Sequence, residues 1–251
     1  MRCEELTIEG RNAVLEAFKS GKTIDRLFVL AGCQDGPVNT ILREAKKTDC
    51  IIDFVKKERL DSMSETGKHQ GVIAYSAAYE YSSIEDMLKI AADREEDPFL
   101  ILLDNIEDPY NLGSIIRTAN QAGAHGVIIP KRRAVGLTAI VAKASSGAIN
   151  YTPVAKVTNM VKTIEDLKKR GMWFVCGDMQ GESMYRLNLT GSIGVVIGNE
   201  GEGVSRLVKE KCDYVAAIPM YGEIDSLNAS VAMGILSYEI VRQRIQTSSI
   251  K

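Results

Sequence analysis

The sequence predicts an α/β fold in two parts: a small N-terminal α/β unit at residues 1–76 and a larger unit at 99–251 built on a mostly parallel sheet. Three observations carry this expectation. Apolar segments of strand length alternate with segments of helical spacing along the chain, the pattern of a sheet with helices laid against it. Phe99-Leu100-Ile101-Leu102-Leu103 is apolar without interruption, as suits a strand covered on both faces. Between the parts, residues 77–98 turn rich in Tyr, Ser, Asp and Glu, which marks a linker carrying one short amphipathic helix at 84–91.

In the first part, residues 9–19 have helical spacing, with Val14, Leu15 and Phe18 on one side. Strand patterns at 26–31, 50–55 and 71–75 alternate with helical ones at 38–47 and 57–63. In the second part, the strand from Phe99 is followed by a helix at 112–122, a strand at 126–129 and helices at 137–144 and 159–170. Strands at 172–176 and 194–197, a helix at 204–210, a strand at 214–218 and a long final helix at about 229–245 complete it. Ligands of such sheets sit outside the carboxyl ends of the strands, so the loops after Leu103, Cys176, Ile197 and Ile218 are the places to search.

The 251 residues are 45% hydrophobic and 25% charged, enough to bury a core without disulfide or metal help. No apolar run is long enough to span a bilayer, and the first six residues lack the apolar centre of a secretion signal, so the expected location is cytoplasmic with no membrane partner. Cys3, Cys33, Cys50, Cys176 and Cys212 are scattered with no C-x-x-C pair, and His69 and His125 are the two histidines; reduced thiols and no metal are expected. The formal net charge of −2 does not by itself indicate a nucleic-acid partner, although Lys131-Arg132-Arg133 and Lys168-Lys169-Arg170 concentrate positive charge locally. Such a triplet is more often a solvated loop or helix end than a binding site.

Three strand-end segments carry the chemistry. In Asp104-Asn105-Ile106-Glu107-Asp108-Pro109-Tyr110-Asn111, the last residue is a fitting helix cap, with Arg117 six residues further on. In Gly198-Asn199-Glu200-Gly201-Glu202-Gly203, a buried strand runs into a glycine loop that lets backbone approach a ligand. Its G-x-x-G-x-G order is the reverse of the dinucleotide fingerprint, and its two carboxylates disfavour a phosphate, so a cationic ligand or an arginine partner suits it better. In Ile218 to Ala232, both Ser226 and Asn228 are cap-type residues, and one cap suffices. The helix that follows carries Val231, Ile235, Leu236 and Ile240 as a stripe for the core or for a partner subunit.

Taken together, N-L-G-S-I-I-R-T-A, A-G-A-H-G-V-I-I-P, A-S-S-G-A, I-G-N-E-G-E-G-V-S and I-P-M-Y-G-E-I-D-S-L-N-A-S-V-A resemble the SpoU/TrmH family of RNA ribose 2′-O-methyltransferases, over residues 99–244. G-R-N-A-V-L-E-A and K-H-Q-G-V-I-A resemble the small RNA substrate-binding domain of one branch, the one that methylates a guanosine ribose in 23S rRNA. The resemblance implies a C-terminal trefoil knot, a rare exception among folds, and a homodimer. It implies S-adenosyl-L-methionine held by Gly198, Ile218, Leu227 and the adjoining Asn228, and catalysis by Asn111, Arg117, Glu200 and Ser226. Arg117 is expected to orient the substrate at a site completed by the other subunit, fixed there by Glu200. The acceptor is RNA and not DNA, since only RNA has the 2′-hydroxyl. His69 and Gln70 read either as RNA contacts or as a polar turn before a strand. Other readings consistent with the motifs are methylation of a tRNA ribose and a non-catalytic RNA-binding or assembly factor.

Overall fold

A computed structural model describes residues 7–33, 35–48, 50–224 and 226–248; Cys3 and the N-terminal acidic stretch lie outside them. The chain divides into two units, Met1–Glu80 with Gly136–Ala139, and Tyr81–Val135 with Ile140–Lys251.

In the first unit, β1 (Thr7–Glu9), α1 (Arg11–Lys19), β2 (Ile24–Leu30), α2 (Gly36–Ala45), β3 (Ile51–Val55), α3 (Lys57–Met63) and β4 (Val72–Ser76) follow in order. The sheet runs β1-β4-β2-β3, with β2 and β3 parallel and the other pairs antiparallel. Val14 and Ala17 of α1 and Val38, Ile41 and Ala45 of α2 pack with Leu27, Val29, Val72 and Ala74 in one core. Strand β1 was not expected from the sequence: three residues are too few to show a two-residue period, and its pairing with β4 defines it. Helix α1 accordingly starts at Arg11, after the turn at Gly10.

The second unit opens with α4 (Ile84–Asp93), whose Ser83 and Asp86 form a reciprocal capping box. There follow β5 (Phe99–Asp104), α5 (Pro109–Gln121), β6 (Gly126–Pro130), α6 (Ala139–Ala144) and β7 (Val154–Val157). α7 (Met160–Lys168), β8 (Trp173–Ser183), β9 (Ile193–Gly198), α8 (Arg206–Lys209), β10 (Tyr214–Ala217) and α9 (Ala229–Ser248) complete the chain, with two short 3-10 turns between them. The six strands described are all parallel, in the order β10-β8-β9-β5-β6-β7. Central β5 and β9 are buried at every residue, as the unbroken apolar run requires. Residues 77–98, expected as a linker, divide between the two units, and Met87 and Ala91 of α4 are buried in the second. Met87 fills the space a side chain at Gly126 would need, since a Cβ there would lie 2.3 Å from its sulfur.

Some elements differ from expectation in their bounds, and one further strand was not expected. Helix α5 begins at Pro109 and not at residue 112, because Asp108 accepts the Tyr110 and Asn111 N–H groups and Pro109 presets the first turn. Strand β8 runs on to Ser183 because it pairs a second time with β10, past a register shift between Val215 and Ala216. Strand β7 goes unnoticed in the sequence because its four residues mix Lys156 among apolar neighbours, and it forms by pairing with β6.

Candidate active site

The carboxyl ends of β8, β9 and β10 and the start of α9 enclose a cavity of about 320 Å³. Its apolar wall includes Ile197, Ile218, Leu227, Ala232 and Leu236, and its polar rim includes Asp178, Glu200, Glu202 and Ser226. Of the four residues expected at the cofactor, Gly198, Ile218 and Leu227 line this cavity, and Asn228 adjoins it through Glu200.

Gly198 has no room for a side chain: a Cβ there would fall 2.0 Å from the backbone of Gly203. The loop folds back on itself this tightly because Asn199 Oδ1 accepts the N–H groups of Gly201 (2.9 Å) and Glu202 (2.7 Å), and the Gly203 N–H donates to the Asn199 carbonyl. Gly203 itself takes φ 68°, open to glycine at little cost. Buried Asp104, at the end of β5, accepts the Ser205 N–H (2.8 Å) and pins the far end of the loop.

Glu200 is the hub of the site. Its Oε1 accepts Nδ2 of Asn111 (3.0 Å), Nδ2 of Asn228 (2.5 Å) and the Ala229 N–H (3.4 Å), while Asn228 Nδ2 also donates to Asn111 Oδ1 (2.8 Å). The three residues come from positions 111, 200 and 228 of the chain and meet at one point. Asn111 is not the cap of α5, as its place in the sequence had indicated; Asp108 is, which leaves the Asn111 side chain for Glu200. Asn228 Oδ1 accepts the Ser230 and Val231 N–H groups and so caps α9. Ser226, the second cap-type residue, is therefore free of that duty and lines the cavity.

A second, more open space of about 650 Å³ adjoins the first across the same loop, lined by Asn105, Glu107, Asp108, Asn111, Arg133 and residues 199–202. Glu200 borders both spaces. Arg117 is not in this cluster: it is exposed, and its Nη1 donates to Ser146 Oγ (3.3 Å). Within this chain Arg117 does not reach Glu200; the expected pairing lies across two subunits.

The loop after Cys176 is among the strand ends to search, though no single residue of it stands out in the sequence. Gly177, Asp178, Met179 and Gln180 all line the cavity, in the stretch of β8 where the ladder to β10 shifts register. A glycine and a carboxylate at the end of an apolar strand were the available signal. Burial pushes the Asp178 carboxyl up, but its ion pair with Lys209 (2.7 Å) and the Gln180 N–H outweigh this and hold it below the usual carboxylate range. Of the two basic triplets, Lys168, Lys169 and Arg170 are ion-paired with Asp213, Asp166 and Glu85. His69 is buried, bonded through Nε2 to Asp61 and accepting the Gly71 N–H at Nδ1, which is the polar-turn reading of that motif. Among the described residues no group of three His, Cys, Asp or Glu side chains is placed to hold a metal ion, and no helix is long and apolar enough to cross a membrane.

Known proteins share both units. The RNA 2′-O ribose methyltransferase substrate-binding pattern matches residues 7–82. The chain is 49% identical over 237 residues to YacO of Bacillus subtilis, a protein named as a TrmH family tRNA/rRNA methyltransferase, covering 94% of each. Among solved structures it is similar to the SpoU methyltransferase AviRb of Streptomyces viridochromogenes in complex with AdoMet (TM-score 0.61, 25% identity, 98% of this chain and 92% of that one). It is also similar to the TrmH/SpoU tRNA modifying enzyme of A. aeolicus (TM-score 0.56, 28% identity, 64% of this chain and 86% of that one). With residues 98–238 matching the SpoU rRNA Methylase family, more than half its length, the chain belongs to that family.

Proposed function

We propose that this protein transfers a methyl group from S-adenosyl-L-methionine to a ribose 2′-hydroxyl of RNA, the target being a guanosine of 23S rRNA, and that it does so in the cytoplasm as a homodimer with a trefoil-knotted C-terminal domain. The observation that carries the reading is the convergence of Asn111, Glu200 and Asn228 at the seam between an apolar cavity and an open polar space.

The cavity suits the cofactor. About 320 Å³ lies at the small end of ligand sites, the wall is apolar, the backbone at Gly198 is bare, and the Glu202 carboxylate, in no ion pair among the described residues, favours a ligand carrying positive charge. When bound, S-adenosyl-L-methionine supplies a methyl group already activated on a sulfonium, so no metal is required. Gly198, Ile218, Leu227 and Ser226 would hold it, and Asn228 fixes the loop beside it.

The chain's own contribution is positioning, which can offset about 7–11 kcal/mol of barrier, and removal of a proton. Glu200 uses only Oε1 in the asparagine network; Oε2 is left to accept the ribose hydroxyl in the open space. Asn111 and Asn228 keep the carboxylate from rotating away. Arg117 binds and orients substrate from across the subunit seam. On α9, Val231 and Tyr238 are seven residues apart on one face and 47% and 49% exposed, apolar surface that a second copy would cover.

The tRNA alternative is supported by YacO, which is named for tRNA and rRNA alike and covers 94% of the chain, and by the shorter A. aeolicus tRNA modifying enzyme. Mapping 2′-O-methyl sites in RNA from cells with and without the protein tests the reading. A missing site in 23S rRNA is the expected result; a missing tRNA site would move the substrate, and an unchanged map would remove the activity.

A further inference from the structure

We propose that Arg133 seats a phosphodiester of the substrate RNA beside the ribose being methylated, in the open space next to the cofactor cavity; this rests on the functional reading above. Arg133 lies in the loop after β6 at φ 56°. A residue other than glycine, asparagine or aspartate is held there only when its surroundings enforce it, and such positions gather at functional sites. Both ends of the loop are tied down, Lys131 N–H donating to Val157 O (2.7 Å) and Val135 N–H to Ile106 O (3.1 Å).

The side chain so placed lines the 650 Å³ space and is exposed. Glu107, Asp108, Glu200 and Glu202 line the same space. Among the described residues, none of them lies within ion-pair reach of Arg133. Asp108 is committed to the α5 cap and Glu200 to the asparagines. An arginine that shares a space with four carboxylates and pairs with none is left for an anion brought from outside, and a guanidinium fork matches two phosphate oxygens. The carboxylates and amides around it suit hydroxyl and N–H donors of a nucleoside and repel phosphate. Arg133 is the one cation lining the space among the described residues, so it sets where the backbone of the RNA can lie.

The test compares R133Q, R133K and R170Q with wild type, using protein-free large-subunit rRNA as probe. R133Q should weaken rRNA binding about tenfold, as loss of one charge-assisted contact does, and flatten the slope of log affinity against log salt by about 0.7–0.9. KM for RNA should rise with kcat near wild type, and calorimetric affinity for S-adenosyl-L-methionine should not change. R133K should regain part of the affinity, and R170Q, in the ion-paired triplet, should bind as wild type. Equal RNA affinity and salt slope in R133Q and wild type would overturn the proposal. So would a loss of cofactor affinity in place of RNA affinity, since Arg133 would then hold the cofactor's carboxylate. If wild type transfers no methyl group to ribose while R133Q still loses RNA affinity, the phosphate seat stands and the enzymatic reading fails.

Discussion

Two polar loops of this protein look alike in sequence and behave differently. Residues 64–71 of the first unit and 198–203 of the second are both rich in glycine and polar groups beside a strand. In the first, Glu9 accepts Ser64 Oγ (2.5 Å), Glu65 N–H (2.6 Å), Thr66 N–H (3.3 Å) and Thr66 Oγ1 (2.7 Å), engaging both carboxylate oxygens. His69 is satisfied at both nitrogens, and Gln70 bonds Arg11 through its side chain and its carbonyl. In the second, Glu200 keeps one oxygen out of the network, the Glu202 carboxylate has no partner among the described residues, and the loop borders a cavity. A closed network holds a loop in place; an open one at the edge of a cavity is available for chemistry.

The contrast can be broken most directly at Glu200. E200A should lower methyl transfer by about 10²-fold or more, as loss of a positioned proton acceptor does, with cofactor affinity changed only a few-fold. Single-turnover transfer and calorimetry check it, and near-normal turnover would place Glu200 among the merely structural groups. Next in size, G198A should cost at least about tenfold in cofactor affinity, because a Cβ at that position overlaps backbone that cannot yield. G201A, whose Cβ would meet nothing closer than 3.7 Å, should bind cofactor normally.

On the closed side, E9Q should leave the transfer chemistry intact and lower the stability of the first unit by about 1 kcal/mol, allowing for its partial exposure. Burial pushes the Glu9 carboxyl up, but the bonds from Ser64, Thr66 and the backbone outweigh it and bring it down to about 2. Its contribution is therefore present above the ordinary carboxylate range and lost as pH falls from 4.5 towards 2; an acid denaturation curve for E9Q should lack that component. The smallest effect is expected at His125, buried in the second unit between the Phe99 N–H and Glu96. Burial lowers its pKa despite Glu96, so protonation opposes folding, and melting temperature should fall as pH drops below about 6.5. H125Q should flatten that dependence.

The strands and helices of the second unit were legible because a buried parallel strand must be apolar throughout and a covering helix must repeat its apolar face. β5 and β9 follow the first rule closely, and α7, which buries Met160, Ile164 and Leu167, follows the second. The loops that border the cavity were legible too, since glycines and cap residues gather at those strand ends. Short strands such as β1 and β7 were not, because three or four residues carry too little periodicity to separate from a loop.

By itself the sequence determined the two α/β units, the strand ends worth searching and the polar residue types gathered there. Those follow from burial and turn chemistry, which act over a few neighbouring residues. Only the structure decided that Asp108 caps α5 and so frees Asn111, that Glu200 gathers two asparagines, and that Gly177 to Gln180 join the cavity. The cap is a choice between neighbours three residues apart; the asparagine cluster joins partners tens of residues apart, and hydrogen-bond geometry settles it only once the sheet has brought the strand ends together.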